Sequence, residues 1–114
     1  MDIITTSLTE TIAGVGNGSV IPLGNVTRNT GFSVYGNRIK PKHKGTYHYN
    51  ACLSVLQDDH VRVIGWCNGV VVVESVGKST IPMAFEAGKG EVWFTLECSS
   101  NITIGSFAVS AFRL

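Results

Sequence analysis

Alternation with a period of two constrains this chain more than any other feature. No helix-length stretch of the 114 residues repeats its apolar side chains every 3.6 positions. Apolar and polar residues instead alternate in short runs, broken by Gly, Asn and Asp at intervals of about 8 to 12 residues. An extended chain sends successive side chains to opposite faces, so each run can bury one face and wet the other. Two packed antiparallel sheets follow, in a sandwich or barrel with no helix.

The runs differ in quality. Residues 46–56 carry Tyr47, Tyr49, Ala51, Leu53 and Val55 on one parity, which belongs in the core. His48, Asn50, Cys52, Ser54 and Leu56 lie on the other, a mixed and small face suited to a cover other than bulk water. Residues 91–98 alternate cleanly, with Val92, Phe94, Leu96 and Cys98 inward and Trp93 outward. Asn68-Gly69 between residues 60–67 and 70–74 is the strongest hairpin signal. Four consecutive valines, Val70 to Val73, imply that both faces of that strand are partly buried. In the last run, residues 102–114, Ile102, Ile104, Ala108 and Phe112 share one parity, and Phe107, Val109 and Ala111 the other. Both faces of this strand also read as apolar.

Pro22 and Pro82 cannot donate to a ladder, which puts residues 19–23 and 80–86 at edges or bulges. Residues 3–8, 32–35 and 38–40 complete about nine to ten strands. Residues 14–18 read as a turn and 25–31 as a loop. With no linker or internal repeat, the chain reads as one domain spanning residues 1–114.

Charge and chemistry narrow the function. Net charge is +1, far from the basicity of a nucleic-acid-binding domain. Charged residues make up 15% of the chain against about 25% in typical domains. A surface so poor in charge implies cover by a partner or another copy. The one basic run, Arg38, Lys40, Lys42, His43 and Lys44, is a solvated strand end or a patch for an anionic polymer or a partner's carboxylates. No apolar run approaches the roughly 20 residues of a membrane span, and the N-terminus lacks the basic and apolar regions of a secretory leader. Cys52, Cys67 and Cys98 sit inside strand-like runs and read as reduced core thiols, with a Cys52–Cys98 bridge as the alternative. No spacing of Cys and His marks a zinc site, and the adjacent Asp58 and Asp59 lack the further oxygen ligands of a calcium loop. No nucleophile elbow, phosphate loop or dinucleotide fingerprint occurs in a fitting context. The chain is expected to be neither an enzyme nor a holder of a cofactor or metal.

The order of the signals resembles the TNF/C1q-like jelly-roll family over roughly residues 30 to 114. Phe32-Ser33-Val34, then Ile39-Lys40-Pro41-Lys42, then Gly45-Thr46-Tyr47 is similar to that family's short strand, polar strand and Gly-x-Tyr opening of a long central strand. Val61-Arg62-Val63 with Asn68-Gly69, the run from Glu91 to Leu96 and the terminal Phe107-Ala108-Val109-Ser110-Ala111-Phe112-Arg113-Leu114 continue the likeness. The chain is shorter than the animal globular heads and shows neither leader nor collagen-like stalk, and so looks more like the compact forms of phage and bacterial surface fibres. The resemblance implies a tight homotrimer with one sheet of each protomer facing the threefold axis. Tyr49, Cys52, Phe107, Val109 and Phe112 are the expected interface residues. The functional expectation is a homotrimeric virion component, a capsid decoration or fibre head on the virion surface with other virion proteins as partners. The alternative is a module recognising a host-surface glycan or protein through Trp93, Asp58, Asp59 and Arg28.

Overall fold

A computed structural model of the chain describes residues 1–57 and 59–114. It contains eleven strands among the described residues: β1 (Ile3–Leu8), β2 (Ile12–Val15), β3 (Asn25–Thr30), β4 (Phe32–Tyr35), β5 (Arg38–Pro41), β6 (Tyr47–Val55), β7 (His60–Cys67), β8 (Val70–Lys78), β9 (Thr80–Ala87), β10 (Val92–Glu97) and β11 (Ile102–Arg113). The first sheet runs β3-β1-β11-β6-β9, and β2 pairs with the start of β11 in line with β1. The second runs β4-β5-β10-β7-β8. All pairings are antiparallel, and the connections from β3 to β4, β5 to β6, β6 to β7, β8 to β9, β9 to β10 and β10 to β11 cross between sheets, as in a jelly roll.

The parity of β6 decides the core. Tyr47, Tyr49, Ala51, Leu53 and Val55 all point between the sheets and are buried. Phe94 of β10 meets Phe85 of β9 and Phe107 of β11 edge to face, at centroid distances of 6.0 and 5.3 Å. Tyr49 lies flat on Phe85 at 4.9 Å. One aromatic row thus joins the two sheets through the favourable offset and edge-on geometries. The Asn68-Gly69 hairpin forms as expected, with φ of 50° and 81°, the left-handed pair that a tight hairpin turn requires. Pro82 sits in β9 at the edge of the first sheet, as a residue without a backbone donor requires, and its carbonyl accepts from Ser75 Oγ at 3.0 Å.

Four expectations fail, each for a physical reason. Residues 25–31, read as a loop, form β3, whose six residues are all exposed. It hangs on β1 alone and buries neither face, so it carries no apolar alternation. Residues 19–23, read as a strand, contribute one bridge, Val20 to Thr95, yet Ile21 and Leu23 are buried as a plug. The valine run is partly buried only in its second half: Val72 and Val73 pack against the core, whereas Val70 and Val71, at the hairpin end of edge strand β8, are 66% and 43% exposed. Finally, β11 is not apolar on both faces throughout. Gly105 is an extra residue against β6, between the pairs Ile104–Val55 and Ser106–Ser54. A bulge of this kind flips the parity, so Ile102 and Ile104 before it, and Phe107, Val109 and Ala111 after it, all face the core.

Candidate functional site

The two outer faces of the sandwich differ in chemistry. On the first sheet, cross-strand neighbours share a face, and the rows read Ser7–Ala108–Cys52–Pro82, Thr5–Ser110–Asn50–Ala84 and Ile3–Phe112–His48–Glu86. Apart from Glu86 at one margin and Arg28, which extends the middle row onto β3 at the other, these three rows carry no Asp, Glu, Lys or Arg. His48 and Phe112 lie 5.4 Å apart, and with Ile3 they form an aromatic and aliphatic end to a surface otherwise built of small side chains. Small, uncharged side chains leave a flat surface that another protein can approach closely with little desolvation cost.

Of the expected interface residues, Cys52 and Phe112 stand on this face and are half-buried. Tyr49, Phe107 and Val109 do not: they are 0%, 0% and 2% exposed and lie between the sheets. The parity of β6 places Tyr49 there, and the Gly105 bulge places the other two. Ala108, Ser110 and Asn50 occupy the outward positions instead. Asn50 was already legible on the small, mixed parity of its run; Ala108 and Ser110 were missed because small side chains carry little hydrophobic signal and the Gly105 bulge hid their parity.

The outer face of the second sheet is charged and aromatic. Trp93 of β10 and Trp66 of β7 are cross-strand partners with near-parallel rings at 6.2 Å, and Trp66 Nε1 donates to Thr95 Oγ1 at 2.9 Å. The Arg38 guanidinium lies 4.2 Å over the Trp93 ring, within cation–π range. Its Nη1 donates to Glu91 Oε1 at 2.9 Å, and the Tyr35 hydroxyl donates to Glu91 Oε2 at 2.6 Å. These two donors hold the Glu91 carboxyl below the usual carboxylate range, while the Glu91 oxygen raises the Tyr35 phenol above its ordinary value. Further along, Arg62 bridges Glu97 at 3.5 Å and Glu74 at 4.0 Å.

The expected partner contacts are not brought together. Trp93 belongs to this second face. Arg28 pairs with Thr5 on β3, at the rim of the first sheet. Asp59 precedes β7, seven residues from Trp66 and so about 23 Å away at 3.3 Å per residue. Asp58 lies outside the described residues. Cys52, Cys67 and Cys98 are all free thiols. The alternative Cys52–Cys98 bridge is not formed: β6 belongs to the first sheet, whereas Cys98 directly follows β10 of the second. Burial raises the Cys67 and Cys98 thiols above the ordinary thiol value, which disfavours the thiolate needed for nucleophilic chemistry.

A polar latch closes the end where the termini meet. Asp2 Oδ2 accepts from His43 Nδ1 at 3.1 Å and lies 3.3 Å from the Tyr47 hydroxyl and 4.0 Å from Arg113 Nη1. The hydrogen bond from His43 is the chief reason that the Asp2 carboxyl is held below its ordinary value. Tyr47 donates to the His43 carbonyl at 2.7 Å, which fixes the loop between β5 and β6 against the start of β1.

No protein-family model and no curated protein sequence matches the chain. Solved structures do match. The globular domain of zebrafish complement 1qA superposes with a TM-score of 0.68 at 12% identity, over 100% of this chain and 98% of that one. Murine APRIL gives 0.68 at 9% identity, over 99% and 98%. Eiger TNF from S. frugiperda gives 0.68 at 8% identity, over 100% and 94%. The fold is therefore the TNF/C1q-like jelly roll. Coverage this complete also means that shorter length does not set the chain apart from these animal domains.

Proposed function

We propose that this TNF/C1q-like jelly roll is a non-enzymatic structural module that assembles as a homotrimer through the outer face of its first sheet. The uncharged rows on β1, β11, β6 and β9 carry this reading, since the opposite face holds Arg38, Lys40, Arg62, Glu74, Glu91 and Glu97. A charge-poor chain has concentrated its charges on one side and left the other for protein contact.

Exposed valines along the edge of the second sheet, interrupted by Glu74, fit the same assembly. Val70, Val71 and Val76 on edge strand β8 are 66%, 43% and 58% exposed. The edge and the flat face are different patches, and contact between unlike patches is heterologous. Such contacts close into a ring when the rotation allows it, and the family resemblance implies a ring of three. The edge valines of each copy then cover the flat face of the next.

Placement on a virion surface, beside other virion proteins, is the finer part of the proposal. Three thiols and no disulfide suit assembly in a reducing cytoplasm. Ala108→Arg tests the assembly. Ala108 is exposed in mid-face, so the variant should keep its β-sheet circular dichroism while its sedimenting mass falls to that of one chain. A trimer that tolerates this arginine removes the first sheet as the interface.

A further inference from the structure

The second sheet's outer face holds a row of cations that the assembly reading leaves unused. Arg38, Lys40 and Lys42 follow at alternate residues along β5 and its continuation, about 7 Å apart. The Lys42 amide donates to the Gly31 carbonyl at 2.9 Å, which keeps it in strand register beyond the end of β5. Lys44 follows in the loop to β6. The Gly45 carbonyl of that loop lies 3.9 Å from where a Gly88 β-carbon would stand, so the turn carrying Lys89 runs alongside. Arg38 is paired with Glu91, but among the described residues Lys40, Lys42, Lys44 and Lys89 have no carboxylate within 4.0 Å. Asp2, Glu86 and Glu91 share this end with a larger number of cations, whereas Glu10, Asp59 and Glu97 lie toward the other end of the strands. A net charge of +1 therefore hides a molecule with one basic end.

Lys40 and Lys42 in line with Arg38, with Lys44 and Lys89 in the adjoining loop and turn, suit an extended polyanion, since a compact anion needs donors that converge on one point. At its Arg38 end the row meets Tyr35 of β4 and Trp93 of β10, with Trp66 stacked beyond, flat amphipathic side chains of the kind on which sugar rings pack. Glu91 and the Arg38 stack hold two of these aromatics in place. We infer that the β5 row and its flanking aromatics bind an extended acidic polysaccharide. The site faces away from the proposed interface and is complete in one chain, so it does not depend on assembly. In a cyclic trimer three such rows stand at one height and add avidity.

The test titrates the whole protein with heparin, a sulfated chain, and with polygalacturonate, a carboxylated one, at low and at physiological salt. Binding to either polymer is expected, weakening with salt, and the polymer preferred assigns the anion. The double variant Lys40→Glu/Lys42→Glu should lose at least about tenfold in affinity, and the charge-neutral Lys40→Gln/Lys42→Gln an intermediate amount. Lys78→Glu, at the opposite end, should bind as the parent does. Absence of binding to both polymers at low salt, an equal loss in Lys78→Glu, or tighter binding of duplex DNA would each overturn the proposal. Light scattering on every variant reports the oligomer independently, so failure of this site and failure of the trimer give different results.

Discussion

Tyr47 and Tyr49 stand two residues apart on the same face of β6, both 0% exposed, and removal of their hydroxyls should change stability in opposite directions. The Tyr49 hydroxyl is buried and has no hydrogen-bond partner. Folding strips it of water and returns nothing, at a cost of about 1–3 kcal/mol. Tyr49→Phe keeps the ring on Phe85 and removes only the oxygen, so after a small packing loss it should stabilise the fold by about 1 kcal/mol. For a domain near this size that raises Tm by about 4 °C. Tyr47→Phe removes a donor that bonds the His43 carbonyl at 2.7 Å, and should cost about 1–2 kcal/mol. Thermal and urea unfolding at one fixed protein concentration compare the pair without the concentration dependence that assembly brings. The alkaline limb gives a second sign. Burial raises the Tyr49 phenol far above its ordinary value. The folded state therefore keeps its proton at pH values where the unfolded chain, with a phenol pKa of about 10, releases it. That contribution is present below pH 10 and is lost as pH rises above it, and Tyr49→Phe should flatten this slope. A Tyr49→Phe protein less stable than the parent would refute the reasoning, because it would mean the hydroxyl has a partner inside the core.

Other consequences are as direct. Thr6 Oγ1 is likewise buried without a partner, so Thr6→Val should stabilise by about 1 kcal/mol in the same urea assay. Gly24 has φ of +76°, and a β-carbon there would stand 2.4 Å from the Ser7 carbonyl oxygen and 2.6 Å from Leu8 Cα. Gly24→Ala therefore strains backbone against backbone and should cost about 2 kcal/mol or more, read as a fall in the urea midpoint. Asp2 and Glu91 both have carboxyls held below their ordinary values, so their contribution is present above about pH 4, where the unfolded carboxyl ionises, and is lost as pH falls further. Asp2→Asn and Glu91→Gln should each make the acid limb of the stability–pH curve shallower, and an unchanged limb in both would contradict the latch geometry.

The sequence made the fold legible wherever a strand has one buried face. On β6 and β10 the alternation names the inward residues, failing only at Cys98, which lies past the end of β10 and is half-buried, and Asn68-Gly69 locates its hairpin. It is silent where burial is. β3 wets both faces, so Asn25 to Thr30 looks like a loop although its backbone is paired. Gly105 hid the parity of β11, because a bulge is one residue in a glycine-rich chain and its effect shows only in register. This same flip sent Phe107 and Val109 into the core and left Ala108 and Ser110 outward beside the small β6 parity that the alternation had already set apart. Trp93 was legible as outward, but the Arg38 guanidinium over its ring was not, since Arg38 comes from β5, far away in sequence.

Sedimentation velocity on the unmodified chain, over the widest concentration range that solubility permits, tests the association face most directly. A species of three times the 12.2 kDa chain mass, persisting on dilution, is the expected result. A single 12.2 kDa species at the highest concentration would contradict it, because the uncharged rows on β11 and β6 would then face water in every molecule.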